Sequence, residues 1–239
     1  MQDLGKIPSD IIQYCFGVVK TLNMNDPLSK TQEHAFFNTV FRYDATTDFF
    51  TPENYFGSLI PPIDRLQDDL KPLYDWLIST HFNEHTIFRC QILSSPPGAQ
   101  ILPHTDPRLY HSLSNRVHCV LVTNPGCRNF HFLPEDDYNI EYYHMRANRL
   151  YNLDNILPHA AFNYGITERL HIILDIMPNE FIKQHRNIWV NDTNNTPRHI
   201  MDDYVHHVDQ ITKKYGDEHA LKLIYQDGLA KTQSLTIQN

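Results

Sequence analysis

The stretch Arg169-Leu170-His171-Ile172-Ile173-Leu174-Asp175-Ile176-Met177 decides how this chain is read. Side chains alternate between the two faces of an extended strand. Leu170, Ile172, Leu174 and Ile176 then share one face, and Arg169, His171, Ile173 and Asp175 share the other. The wholly apolar set belongs against the body of the protein, and the mixed set belongs at the mouth of a barrel. A guanidinium held in an apolar strand needs an anion to offset its desolvation. Its planar fork suits a carboxylate in a way that a lysine ammonium does not. That carboxylate comes either from the protein or from a small ligand.

Five further runs share this β-branched and aromatic character, at 86–93, 116–123, 128–133, 149–154 and 159–163. Turn signals separate them at Pro96-Pro97-Gly98, Asn124-Pro125-Gly126, Glu135-Asp136-Asp137 and Asn163-Tyr164-Gly165. Many short, closely spaced strands predict a sandwich or barrel of the jelly-roll kind.

Helical periodicity flanks this block. Ile11, Ile12, Cys15, Phe16, Val19 and Leu22 form a stripe behind Pro8-Ser9-Asp10. Ile63, Leu66, Leu70, Leu73 and Leu77 recur at spacings of three and four, with Pro72 expected to kink or divide the helix. Ile200, Tyr204, Val208, Ile211 and Tyr215 mark a third helix over 198–215, closed by Gly216, with Asp217 as N-cap of another over 218–225. The stretch 23–55 is polar and rich in aromatics; strands are allowed there without assigned limits. The fold class is therefore α+β with a mainly β core. One domain is expected over 1–239: a helical and mixed support at 1–85, the β core at 86–178 and a helical extension at 179–239.

Composition narrows the function classes. A chain with 41% hydrophobic and 20% charged residues is of ordinary globular type. A net charge of −8 without a basic run argues against nucleic acid or an anionic membrane surface as partner. Cys15, Cys90, Cys119 and Cys127 lack C-x-x-C spacing and are expected reduced and buried, which points to a cytoplasmic protein. No run approaches the ~18 apolar residues of a membrane span, and no signal peptide is read.

The chemistry sits in Leu102-Pro103-His104-Thr105-Asp106-Pro107. His104 and Asp106, at i and i+2, point the same way on an extended strand. His159 follows 55 positions later and opens another predicted strand, a separation that suits two walls of one barrel. Two imidazoles and one carboxylate on one face of a metal suit non-haem Fe(II). The competing reading is three unrelated polar residues in a chain with 15 histidines. Arg116 and His118 also share a strand face and are candidates for binding a dianion, against a surface arginine beside a structural histidine. Tyr138, Tyr142, Tyr143 and Arg146 make 134–148 a candidate lid or rim.

The run Pro96-Pro-Gly-Ala-Gln-Ile-Leu-Pro-His104-Thr-Asp106, followed by Arg116-x-His118, Asn124-Pro-Gly-Cys127, His159 and Arg169, resembles the aspartyl/asparaginyl β-hydroxylase family of Fe(II)- and 2-oxoglutarate-dependent dioxygenases. It is similar also to the bacterial free-proline hydroxylases of the same group. The resemblance covers about 86–178. It implies a double-stranded β-helix (jelly roll, cupin-like) that uses iron, 2-oxoglutarate and O2. His104, Asp106 and His159 then hold the catalytic metal, Arg169 binds 2-oxoglutarate, and Arg116 and His118 contact the same cosubstrate. Asp106 stands where the animal aspartyl β-hydroxylase has Gly, so the metal triad is complete, as in the proline hydroxylases. The resemblance also implies a serine before the Pro-Gly turn, for which Gln91, Ser94 and Ser95 are stand-ins.

The function so implied is hydroxylation of an amino-acid side chain in a small molecule or a peptide: peptidyl Asp or Asn, or a free amino acid such as proline. The alternatives are a non-catalytic metal- and ligand-binding β-barrel, or a zinc hydrolase with the same ligands. The helices at 1–22, 63–82 and 198–225 are expected to buttress the sheet and are candidates for a homodimer face.

Overall fold

β-Branched and aromatic runs pair here into two antiparallel sheets. The computed structural model describes residues 1–22, 30–31, 34–44, 49–54, 69–106, 114–180 and 198–216. Its strands are β1 (Gln2–Lys6), β2 (Lys30–Thr31), β3 (His34–Asp44), β4 (Phe49–Asn54), β5 (His85–Ser95), β6 (Gln100–His104), β7 (Asn115–Val122), β8 (Cys127–Leu133), β9 (Asn139–Tyr143), β10 (Arg149–Leu153), β11 (His159–Asn163) and β12 (Arg169–Pro178). The helices are α1 (Ser9–Lys20), α2 (Lys71–His81) and α3 (Arg198–Tyr215). The major sheet runs β1-β10-β7-β12-β5-β3-β2, with β4 beside β3, and the minor sheet runs β6-β11-β8-β9. Two such sheets packed face to face make a jelly roll.

β12 lies at the centre of the major sheet, between β7 and β5, and all but its last residue are buried. Its two faces have different fates. Leu170, Ile172, Leu174 and Ile176 join Cys90, Ile92, Val117, Cys119 and Leu150 in one core, closed by Cys15 and Val19 of α1 and by Leu73 and Leu77 of α2. Each fully buried Leu or Ile side chain contributes ~1.5–3 kcal/mol. The minor sheet does the same on its far side, where Phe130, Phe132, Ala160 and Phe162 pack with Ile211 of α3. Both apolar outer faces are thus covered by helices, and the polar residues of alternate positions are left facing inward.

The helix ends follow local chemistry. Pro72 begins α2 rather than interrupting it, since its missing N–H falls among those a first turn leaves unpaired. Gly216, at φ +90°, takes the left-handed position that stops α3, and its N–H donates to the Thr212 carbonyl at 2.8 Å. Ile63, Leu66, Asp217 and the helix expected over 218–225 lie outside the described residues.

Three features go beyond the sequence reading. β1 has no alternating pattern and is a strand because its backbone pairs with β10, around a bulge between Asp3 and Gly5. The stretch 23–55 supplies β2, β3 and β4, with β3 paired to β5. The segment 134–148, the candidate lid or rim, contains β9, the edge strand beside β8. Asp137 (φ 48°) and Tyr138 (φ 57°) make a left-handed reversal into it. Tyr138 is then buried, and the Tyr142 ring stands edge-on to Phe130 at 5.1 Å. All four cysteines are free and buried. Among the described residues no helix is long and apolar enough to cross a membrane.

Candidate metal centre

β6 and β11 are neighbours in the minor sheet, and their register sets His104 directly opposite His159. Asp106 follows two residues after the end of β6. One donor atom from each of His104, Asp106 and His159 lies within 4.8 Å of the others, so the three predicted ligands converge. Both imidazoles are oriented the same way. His104 Nδ1 lies 2.7 Å from the Leu102 carbonyl, and His159 Nδ1 lies 2.9 Å from the Leu157 carbonyl. A carbonyl only accepts, so Nδ1 carries the proton and Nε2 keeps its lone pair for a cation. Burial, and then the neighbouring His104, push the pKa of His159 down to about 3, which keeps it neutral and able to ligate.

Asp106 is held from behind. Its Oδ2 accepts from Arg116 Nη1, and Asn155 Nδ2 approaches the same oxygen at 3.5 Å. Its Oδ1 faces His104 Nε2 at 3.9 Å. Arg116 donates Nε and Nη2 to the two carboxylate oxygens of Asp175 at 2.8 and 3.0 Å. The sequence reading aims Arg116 at a cosubstrate, whereas its three nitrogens are directed to two carboxylates of the protein. β12 and β7 pair Asp175 with Arg116, so the register brings the charges together.

Arg169 differs: it is 3% exposed, and among the described residues it donates to two neutral oxygens, Asn129 Oδ1 at 3.2 Å and Ser95 Oγ at 3.3 Å. Its Nε is buried without a hydrogen bond, and no carboxylate pairs with it among the described residues. Burial lowers its pKa. A buried, uncompensated guanidinium is costly unless an anion arrives. The serine beside it is Ser95; Ser94, on the other face of β5, bonds Glu168 instead.

His118 and His171 lie between these two sites on the inner face of the major sheet. Their Nδ1 atoms are 3.2 Å apart, and both Nε2 atoms are buried without a partner. Burial, followed by the charges of Arg116 and Arg169, lowers the His118 pKa to about 3, and burial with Arg169 sets His171 well below its usual value. With both rings neutral, one Nδ1 donates to the other, so one outward Nε2 is an acceptor and the other a donor. From the minor sheet, His131 stands opposite His159 with both ring nitrogens unpartnered. Ser95 is one of the three stand-ins for the implied serine, whereas Asn129, His131 and Asn155 have no role in the sequence analysis. For Asn129 and His131 a signal exists in the alternation of polar residues with Phe130 and Phe132.

The comparisons with known proteins fall on this same region. Residues 72–179 match the family model described as Aspartyl/Asparaginyl beta-hydroxylase. The β core of this chain is similar to that family. The matched span contains His104, Asp106, Arg116, His118, His159 and Arg169. Over 110 residues the chain is 33% identical to the L-proline cis-4-hydroxylase of Rhizobium meliloti (strain 1021), which is 46% of this chain and 37% of that protein. The chain therefore aligns with less than half of the length of this curated relative. The fold is also that of a 2OG-Fe(II) oxygenase-family oxidoreductase from Burkholderia pseudomallei, at TM-score 0.51 and 13% identity, over 72% of this chain and 80% of that one.

Proposed function

We propose that this chain is an Fe(II)- and 2-oxoglutarate-dependent dioxygenase that hydroxylates an amino-acid side chain, with free proline the first substrate to try. The observation that carries the reading is the pairing of a two-histidine, one-carboxylate cluster with a buried arginine that meets no carboxylate among the described residues. Open-faced sets of this kind suit Fe(II), and a dianionic keto acid supplies both a metal chelate and the missing carboxylate.

His104, Asp106 and His159 would hold the iron, and Arg169 would bind the far carboxylate of 2-oxoglutarate with Ser95 and Asn129 fixing its fork. When bound, the iron with 2-oxoglutarate and O2 supplies the oxidising power to hydroxylate an unactivated C–H bond, succinate and CO2 being the co-products. The protein's own part is orientation and dryness. Leu102 and Leu157 carbonyls keep both imidazoles in the ligating tautomer. His118 and His171 offer one donor and one acceptor from a wall that excludes water, their unpartnered nitrogens awaiting a polar ligand. Arg116 serves the metal carboxylate in this reading.

The test is iron-dependent succinate formation by the purified chain with 2-oxoglutarate, ascorbate and a panel of free amino acids and acidic peptides. Turnover with one amino acid well above the uncoupled background is expected. Failure to bind or consume 2-oxoglutarate with every panel member overturns the proposal.

A further inference from the structure

Register sets four residues of the minor sheet in one row: His104 opposite His159, His159 opposite His131, and His131 opposite Glu141. Directly opposed residues of an antiparallel pair share a face. The row therefore runs inside the barrel from the two candidate metal ligands on β6 and β11, through β8, to a carboxylate on the edge strand β9. His131 is 1% exposed, yet neither of its ring nitrogens has a hydrogen-bond partner among the described residues. We infer that His131 is a specificity-determining residue that binds the polar head of a free amino acid, with Glu141 on the side of the ammonium. This rests on the oxygenase reading above and names the substrate class for that site.

Buried polar atoms without partners cost stability, and folded chains keep few of them. Burial, and then the charge of the amino terminus, lower the His131 pKa to about 4 against the pull of Asp154 and Glu141. The ring is neutral, so one nitrogen donates and the other accepts. A free amino acid carries the complementary pair, an ammonium that donates and a carboxylate that accepts. Peptide N–H and C=O groups also match the ring, but Glu141 adds a negative charge to the same row, which favours an ammonium over an amide. Tyr143 ties the two residues together. Its ring stands edge-on to His131 with centroids 4.9 Å apart, and its hydroxyl donates to Glu141 Oε2 at 2.8 Å.

The reach also fits. The His131 and His159 ring centroids are 6.3 Å apart, so a head group bound at His131 leaves its side-chain carbons a few bonds from the cation. The anchor for 2-oxoglutarate lies elsewhere on β8, where Asn129 meets Arg169 two residues before His131.

The experiment is anaerobic titration calorimetry on the protein loaded with Mn(II) and 2-oxoglutarate, using a panel of free amino acids and their N-acetyl derivatives. At least one free amino acid is expected to bind, with its N-acetyl derivative about tenfold weaker. His131→Leu is expected to weaken that amino acid about tenfold, the loss of a hydrogen bond to a charged group. Glu141→Gln, at the exposed edge, is expected to weaken it about threefold. His131→Gln keeps a donor and an acceptor and is expected to recover most of the loss. In all three variants Mn(II) and 2-oxoglutarate should bind within about twofold of wild type. A merely structural role would lower the unfolding temperature of His131→Leu and leave amino-acid affinity in place. Should His131→Leu fail to fold, Glu141→Gln and the N-acetyl comparison take its place, and either one unchanged overturns the inference. It is overturned equally if folded His131→Leu binds the amino acid as wild type does, if it loses 2-oxoglutarate to the same extent, or if no free amino acid binds the loaded protein. Wild-type protein that takes up neither Mn(II) nor 2-oxoglutarate overturns the oxygenase reading instead.

Discussion

His104 and His159 face each other across the β6–β11 pair with ring centroids 4.4 Å apart, each anchored through Nδ1 to the carbonyl two residues before it. The paired anchors leave two Nε2 lone pairs and the Asp106 carboxylate around one point. A divalent cation should therefore stabilise the fold. Saturating Mn(II) at about 100 times its dissociation constant adds about 2.7 kcal/mol, or roughly 5–10 °C for a chain of this size. His104→Ala and His159→Ala are each expected to abolish this shift in thermal unfolding.

Arg169 is a buried cation without a counter-charge among the described residues, held by Asn129 and Ser95. Arg169→Ala is expected to lower 2-oxoglutarate affinity by about 3 kcal/mol, near a hundredfold, while Mn(II) binding stays within a few-fold. Arg169→Lys recovers only part of the loss, because the ammonium lacks the fork. Titration calorimetry on the Mn(II) form reads both variants.

The neutral pair His118 and His171 gives the metal-free protein an acid limit. Burial places the folded pKa of His118 at about 3 and that of His171 well below its usual value. Both groups bind protons in the unfolded chain near pH 6.5. Between these limits the unfolded state holds more protons, so stability is full above about pH 6.5 and falls as pH drops towards 3. Each histidine contributes a slope of up to about 1.4 kcal/mol per pH unit. Urea unfolding of the metal-free protein at pH 7, 6, 5 and 4 should show that decline; His118→Gln is expected to flatten it.

The turn after β7 and the turn after β11 touch. A Cβ on Gly126 would lie 2.2 Å from the Gly165 nitrogen, and Asn124 bridges the two turns through Asn163 Oδ1 at 3.1 Å and the Thr167 carbonyl at 2.7 Å. Gly126→Ala is expected to destabilise by about 1–3 kcal/mol through backbone displacement. Because β12 begins just beyond this junction, the same variant should also weaken 2-oxoglutarate binding. Chemical denaturation and calorimetry check the two effects.

The features legible in the chain were those with a local cause. Strand alternation sorted Leu170, Ile172, Leu174 and Ile176 from Arg169, His171 and Asp175, and the core confirms that division. The i, i+2 spacing of His104 and Asp106, with His159 on a later strand, sufficed for the convergence that the β6–β11 register produces. Limits of the core strands came within about two residues, because turn chemistry at Pro96-Pro97-Gly98 and Asn124-Pro125-Gly126 is written in the residues themselves. β1 and β9 went unread as strands since nothing in their own sequences demands extension; their partners β10 and β8 do.

By itself, the sequence determined which side chains share a face, and so which kinds of group line the barrel. Their partners came from the folded chain alone: Arg116 is engaged by Asp175 and Asp106, Arg169 meets Ser95 and Asn129, and His118 pairs with His171. The physical reason is register. A period of two fixes direction along one strand, whereas the neighbour across the sheet is set by how whole strands slide to bury their apolar faces.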